Sequence, residues 1–392
     1  MRRTSLTRAA AGCGLLVCAA LTQLTTAGAV HAAPADVTGQ YIVVLKSPPP
    51  VYGSSAATTR ARSRGIRVAR EFNHALSGYT AQLTAAQLST VQSDPDVEFV
   101  EPDAVVHANA VNQKPADWGL DRIDQRRLQP SQTYTYASTG SNVTAYIIDS
   151  GIRTTHQDFG GRARGGFSAI DDGHGTDDCF GHGTHVAGIV GGSTYGVAKS
   201  VRLVSVRVLD CDGFGTISGV ISGIDWATAD HAGPSVANLS LGAGASRALD
   251  KAVRQSISSG VTYSVAAGNE NGDACAGSPG RVPAAITVGA TNASDSRDTN
   301  YSNFGRCVDI FAPGTDITSD WNTSDAATQK DTGTSMATPF VTGVAALYLQ
   351  HHPNAGPGRV RDAIVDASTT GTLTNTGDGS PNTLLYSRAS GF

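Results

Sequence analysis

The chain has 392 residues, long enough for more than one domain. It is 40% apolar and 16% charged, which supports a large core and excludes wholesale disorder. With 45 glycines and 6% aromatics it suits an α/β protein with many tight turns, and a net charge of -4 argues against a nucleic-acid partner.

Residues 1–33 read as a secretory signal peptide. Arg2, Arg3 and Arg8 form a basic start, Ala9 to Leu21 is the apolar run, and Val30-His31-Ala32-Ala33 offers small residues for cleavage. The run is shorter than the roughly 20 apolar residues of a membrane span. A secreted protein with no membrane attachment after cleavage is therefore expected. Cys13 and Cys18 leave with the signal. The remaining Cys179, Cys211, Cys275 and Cys307 are an even set in a secreted chain, which points to two disulfides. Three connectivities exist. Cys179–Cys211 with Cys275–Cys307 is preferred, each closing a loop of about 30 residues worth ~3 kcal/mol.

Residues 38–107 read as a small α+β unit. Tyr41 to Leu45 is a strand, Thr58 to Phe72 a helix, Gly78 to Leu83 a strand, and Thr84 caps a helix through Gln92. Val97 to Val100 and Val105-Val106 follow as strands, suiting a split β-α-β-β-α-β arrangement. A polar linker, Val111 to Asp117, leads into a larger domain reaching residue 392. There, short apolar runs at 144–148, 201–209, 235–241, 261–267, 285–290 and 308–311 alternate with helical patterns such as 218–230 and 248–258. That alternation predicts an α/β, doubly wound parallel sheet. An Asp-rich stretch, Asp171-Asp172 to Asp177-Asp178, reads as a solvated loop.

Four positions carry candidate chemistry. Asp149 ends the apolar strand Ala145 to Ile148, at the edge where parallel sheets place their sites. His182, in Gly181-His182-Gly-Thr-His185, opens an apolar helical run. Ser335, in Gly333-Thr-Ser335-Met-Ala-Thr-Pro339, opens the apolar helix Ala337 to Leu349, where helix N–H groups favour an oxyanion. Asn269 follows a strand with its amide free to complete an oxyanion hole. Each alone has a plainer reading: a turn Asp or Asn, a helix cap, or a His182–His185 metal pair without a zinc motif.

Together the blocks resemble the subtilisin-like serine proteases (peptidase family S8), closest to the proteinase K branch and its aqualysin-type secreted bacterial members. Trp118-Gly-Leu-Asp-Arg-Ile-Asp124, the Asp-Ser-Gly, Gly-His-Gly-Thr-His and Gly-Thr-Ser-Met-Ala-Thr-Pro blocks, Val204 to Asp210 and the cysteine spacing all carry the likeness, in the family's Asp…His…Ser order. It covers 111–392, and the unit at 38–107 resembles the inhibitory I9-type propeptide of the same family.

The resemblance implies a subtilisin-like sheet domain behind a ferredoxin-like propeptide: signal 1–33, propeptide 34–110, peptidase 111–392. It implies a monomeric serine endopeptidase made as an autoprocessed zymogen. Ser335 would be the nucleophile, His182 the base, Asp149 its orienting partner and Asn269 an oxyanion donor. Protein and peptide substrates would pair with Gly213-Phe214-Gly215 and Ser240-Leu241-Gly242. Ala266-Ala267-Gly268 would complete a small, uncharged primary pocket that favours apolar or aromatic side chains. Structural Ca²⁺ is implied at Asp309 with the carbonyls of Pro283 and Ala285, and at a second set, Asp121, Asp124, Gln125, Ser131 and Thr133. Thr133 stands where an Asn is expected, and Phe340 where the family usually has His, so altered packing is expected there. The alternatives are an inactive binding protein of the same fold, which the presence of all four residues disfavours, and a metallohydrolase built on His182 and His185.

Overall fold

The computed structural model describes residues 39–46, 55–73, 77–102 and 111–387. The signal segment and Val105-Val106 lie outside them. The chain divides into two compact units, Met1–His107 and Ala108–Phe392.

In the first unit the order is β1 (Gln40–Leu45), α1 (Ala56–Ser63), β2 (Val68–Asn73), β3 (Ser77–Gln82), α2 (Ala85–Gln92) and β4 (Val97–Pro102). The strands form an antiparallel sheet, β2-β3-β1-β4. The β-α-β-β-α-β order holds, but the helix expected to run to Phe72 stops at Ser63. Gly65 adopts φ +74°, and the N–H groups of Gly65 and Ile66 return to the carbonyls of Arg62 and Ala61. This is a Schellman stop. Beyond it the chain runs extended as β2 and pairs antiparallel with β3, with a register shift between Val68 and Arg70. Thr84 caps α2 in a reciprocal capping box with Gln87.

In the second unit β5 (Val111–Gln113), α3 (Trp118–Ile123) and β6 (Tyr134–Tyr136) precede β7 (Thr144–Asp149), β8 (Ala163–Ser168), α4 (His182–Gly191), β9 (Arg202–Arg207) and α5 (Ile217–Asp230). Then come β10 (Ser235–Leu239), β11 (Ala243–Gly244), α6 (Arg247–Ser258), β12 (Thr262–Ala266), β13 (Gly277–Ser278), β14 (Ile286–Thr291) and β15 (Ile310–Pro313). The chain ends with β16 (Ile317–Asp320), β17 (Thr328–Asp331), α7 (Thr334–His351), α8 (Pro357–Ala367), β18 (Thr369–Thr370) and β19 (Thr383–Leu384). Strands β19-β15-β14-β12-β10-β7-β9-β8 lie parallel, with β18 antiparallel at one edge.

The sheet is covered on both faces, which is why its strands read as continuous apolar runs. Ala145 and Ile147 of β7 pack with the residues of α4 and α7, whereas Tyr146 and Ile148 pack with those of α5 and α6. Phe340 is buried in α7 and its ring fills the space over Gly119, where a Cβ would collide with it. The packing role expected of Phe340 is thus met by a glycine on α3.

One polar group is out of place in this core. Asp320, at the end of β16, is fully buried and neither of its oxygens has a hydrogen-bond partner among the described residues. His156 Nδ1 lies 3.5 Å from Oδ1. A Cβ at Gly192 would meet both Asp158 Oδ2 and Asp320 Oδ2, so the two carboxyls converge. Burial and the neighbouring Asp158 charge push Asp320 up to about 8. An unfolded Asp ionises near 4, at about 3.9. Between those values the folded chain keeps a proton that the unfolded chain has released, so stability falls as pH rises. Asp320→Asn removes this dependence. Its Tm relative to wild type is expected to climb from about pH 4 to about pH 8 and then level off. Calorimetry across that range checks it, and a pH-independent offset contradicts the assignment.

Candidate active site

The chain reverses its direction of growth at β7. Strands β9 and β8 extend the sheet on one side, while β10, β12, β14 and β15 extend it on the other. The crevice beyond the carboxyl ends of β7 and β10 is therefore the expected place for a ligand. Asp149 ends β7, Ser240 follows β10, and Asn269 follows β12. Helices α4 and α7 bring His182 and Ser335 to the same edge in their first turns.

His182 Nδ1 donates to Asp149 Oδ1 at 2.7 Å. That oxygen also accepts the Ser150 N–H at 2.7 Å, and Asp149 is fully buried. Burial works against the charged imidazole. The charge of Asp149 and its hydrogen bond outweigh burial, with Asp331 and Asp178 adding to them, and lift His182 to about 9. Close approach of α4 explains the glycines around the histidine. A Cβ at Gly183 would strike the Gly151 carbonyl, and one at Gly181, where φ is +115°, would enter the Trp321 ring.

Asp178 does not belong to a solvated loop. It is buried and satisfies the start of α4: Oδ1 accepts from Ser150 Oγ, Phe180 N and Gly181 N, and Oδ2 from Thr184 N and Thr184 Oγ1. Asp172 pairs with the buried Arg207, while Asp171 and Asp177 are exposed. His185 has its Nε2 3.1 Å from both the Ile317 and Gln329 carbonyls. Burial lowers it to about 4, so it is a neutral donor inside the fold. A metal pair with His182 finds no support in that arrangement.

Helix α7 starts at Thr334, earlier than the expected Ala337. Pro339 lies inside it and lacks the N–H that would bond the carbonyl four residues back, that of Ser335. Ser240 Oγ takes that carbonyl instead, at 2.7 Å. The Ser335 hydroxyl in turn donates to the Ser240 carbonyl at 3.1 Å. Ser240 is held by Asn238, whose Nδ2 donates to Ser240 Oγ at 2.8 Å and whose Oδ1 accepts from Thr342 Oγ1 at 2.9 Å. Asn238 escaped the sequence reading because it sits inside an apolar strand.

Asn269 Oδ1 accepts both the Thr334 N–H at 2.9 Å and Thr334 Oγ1 at 2.8 Å. Those two donors orient the amide, leaving its NH₂ beside Gly333. Asn303 braces the same loop. Its Nδ2 donates to the Ala267 carbonyl and to Glu270 Oε2, and its Oδ1 accepts from Glu270 N and Gly272 N.

Two cavities meet at this edge. One of about 590 Å³ is lined by Leu241, Gly242, Ala266, Ala267, Gly268, Asn269 and Ser335. Glu270 and Asp273 line it too, beside the uncharged Leu241, Gly242 and Ala266 to Gly268. The second, of about 320 Å³, is lined by His182, Gly213, Phe214, Gly215, Ser240, Leu241 and Phe180. Phe214 is 72% exposed and Phe180 41%. The disulfide Cys179–Cys211 ties the approach to His182 to the segment leading into Gly213, and Cys275–Cys307 ties the loop bearing Asp273 to the approach to β15.

Both calcium sets have carboxylates already engaged by donors; those on Asp121 are neutral, whereas Asp309 meets a cation. The Asp121 carboxylate accepts from Ser131 N, Ser131 Oγ, Gln132 N and Gln125 Nε2. Ser131 Oγ lies 2.7 Å from Thr133 Oγ1, and Asp121 and Asp124 are buried. These oxygens are of the type a hard cation takes, but both oxygens of Asp121 are occupied by those donors and Asp124 Oδ2 accepts the Thr135 N–H at 2.6 Å. The set at Asp309 does not fit. Asp309 Oδ1 is taken by Arg361 Nη2 at 2.5 Å and Oδ2 by the Thr287 N–H at 2.8 Å. The expectation of calcium held by Asp309, Pro283 and Ala285 is therefore corrected: a guanidinium neutralises that carboxylate.

Residues 140–384 match the model of the subtilase family, Peptidase S8, and residues 40–109 that of the peptidase inhibitor I9 domain. The chain is 50% identical over 373 residues to an extracellular serine proteinase of Thermus sp. (strain Rt41A), covering 90% of each. It is 47% identical over 371 residues to alkaline serine exoprotease A of Vibrio alginolyticus, covering 91% of this chain and 69% of that one. A crystal structure of a cold adapted subtilisin-like serine proteinase superposes with a TM-score of 0.69 at 52% identity, covering 71% of this chain and all of that one. The chain belongs to the subtilase family and is an extracellular serine endopeptidase with an I9 propeptide domain ahead of its peptidase domain.

Proposed function

We propose that peptide bonds are cut by Ser335, with His182 as base and Asp149 as its orienting partner, and that Asn269 and the Ser335 N–H hold the oxyanion. The observation that carries this reading is the 2.7 Å Asp149–His182 contact at the edge where α7 presents Ser335 beside Asn269. On substrate binding the Ser335 hydroxyl exchanges the Ser240 carbonyl for His182 Nε2 and attacks the scissile carbonyl. His182 then returns the proton to the leaving amine. An extended substrate pairs its backbone with Gly213 to Gly215 and Ser240 to Gly242, which tolerates many sequences. Ala266, Ala267 and Gly268 favour an apolar or aromatic side chain in the larger cavity.

The domain reading is signal 1–33, propeptide 34–110 and peptidase 111–392. The propeptide templates folding and inhibits the enzyme until self-cleavage near Val111, and the peptidase is a monomer. Its large parallel sheet joins strands distant in sequence, and such topologies fold slowly. Calcium is structural and is held by Asp121, Asp124, Gln125, Ser131 and Thr133.

Three outcomes test this. Secreted wild type is expected to begin near Val111, whereas Ser335→Ala keeps its prosegment covalently attached. Intact mass reads this directly, and identical trimming of both removes self-processing. Asn269→Ala is expected to lower kcat by about 10²–10³-fold, the loss on removing this type of donor in subtilisin, with KM nearly unchanged. Unchanged kcat would remove Asn269 from the mechanism. Finally, a base must be neutral to accept a proton, and His182 is lifted to about 9. The acid limb of kcat/KM is expected well above the 6.5 or so of a free imidazole. A limb at or below that value contradicts the Asp149 pairing.

A further inference from the structure

We propose that Arg361 is a built-in cation at the Asp309 position, which takes a divalent metal only when the arginine is removed. The argument begins with the strands. The Asp309 N–H donates to the Thr287 carbonyl at 2.9 Å, and the Thr287 N–H donates back to Asp309 Oδ2 at 2.8 Å. This two-way clasp between the starts of β14 and β15 fixes the carboxylate's orientation and uses one of its oxygens.

The other oxygen points at α8. Arg361 Nη2 meets Oδ1 at 2.5 Å, in a pair whose side chains are only 14% exposed for Asp309 and 34% for Arg361. A calcium ion bound by this carboxylate would need a contact of roughly 2.4 Å to the oxygen that the guanidinium already holds, and the two cations would compete for it. Two cations this close on one carboxylate repel each other. Arg361 Nε is buried without a hydrogen-bond partner among the described residues. The hydrogen bond to Asp309 is made by Nη2, end-on. Arg361 is further drawn to its chain neighbour Asp362, 3.6 Å from Nη1.

The test separates this locus from the Asp121 set by position. Crystals of the Ser335→Ala full chain, with and without Arg361→Ala, are soaked in CaCl₂ and in a lanthanide salt, and anomalous density is read at Asp309. With Arg361 present no peak is expected there. With Arg361→Ala a peak is expected on Asp309. In solution, replacing EDTA by CaCl₂ is expected to raise the Tm of Arg361→Ala by roughly 2–4 °C more than that of the parent. A peak on Asp309 in the Arg361 protein overturns the proposal. So does a folded Arg361→Ala protein with neither a peak nor the extra rise. Arg361→Gln, which keeps the side chain's length without its charge, serves where the alanine variant fails to fold. Asp309→Asn with Arg361 intact supplies the reciprocal reading. It is expected to lower Tm equally in EDTA and CaCl₂, and a loss confined to CaCl₂ would also overturn the proposal.

Discussion

A missing hydrogen bond organises the catalytic edge. Pro339 deprives the first turn of α7 of one donor, and the free Ser335 carbonyl is claimed by Ser240 at the end of β10. Helix and central strand are thereby locked together at the residue proposed to attack. The lock is two-sided, because the Ser335 hydroxyl bonds the Ser240 carbonyl. Removing a donor from a helix interior normally costs ~3 kcal/mol. Here the vacancy lies within the first helical turns and is refilled by a hydroxyl held from behind by Asn238 and Thr342. A buried chain of three polar side chains, Thr342, Asn238 and Ser240, thus reaches from mid-helix to the backbone carbonyl of Ser335. Such a chain is rigid only when every member is satisfied.

Buried carboxylates are a second theme, and the fold answers each in its own way. Asp178 is surrounded by N–H and O–H donors at the start of α4, a favourable place for negative charge. Asp158 accepts the Thr194 N–H at the far end of the same helix. Asp309 is neutralised by Arg361, and Asp295 by a two-point contact with Arg122. Asp320, with no hydrogen-bond donor among the described residues and His156 Nδ1 no nearer than 3.5 Å, responds by holding its proton. The difference follows from what each can reach: Asp178 caps a helix start, whereas Asp320 ends a hairpin strand facing another acid.

Much of this was legible in the sequence because the decisive signals were local. Asp149 and Asn269 each follow an apolar strand, and His182 and Ser335 each open an apolar helix, so composition and position place all four at one sheet edge. The residues that escaped act at long range. Asn238 looks like an interruption in a strand until Thr342, over a hundred positions later, lies against it. Arg361 reads as a solvated helix charge until α8 packs near the β14–β15 edge. Asp178 reads as one of several loop acids, since nothing local says which will be buried. Strand β2 hides for a different reason: its adjacent Arg70 and Glu71 carry helix-compatible composition, and Gly65 marks the boundary.

The same distinction bears on metal dependence. The set proposed to hold calcium, Asp121, Asp124, Gln125, Ser131 and Thr133, lies within thirteen consecutive residues around α3, so its members are close in the chain before the sheet forms. The Asp309 position instead needs β14, β15 and α8 already in place, because its partners come from Thr287 and Arg361. An exchangeable ion there would make the joining of three distant segments depend on external calcium. A guanidinium carried by the third segment makes the junction unconditional: α8 docks with its own charge, and the contact forms whenever the fold does. Metal held at the proposed Asp121 set would then act on that corner of the second unit without governing the closure of its sheet edge.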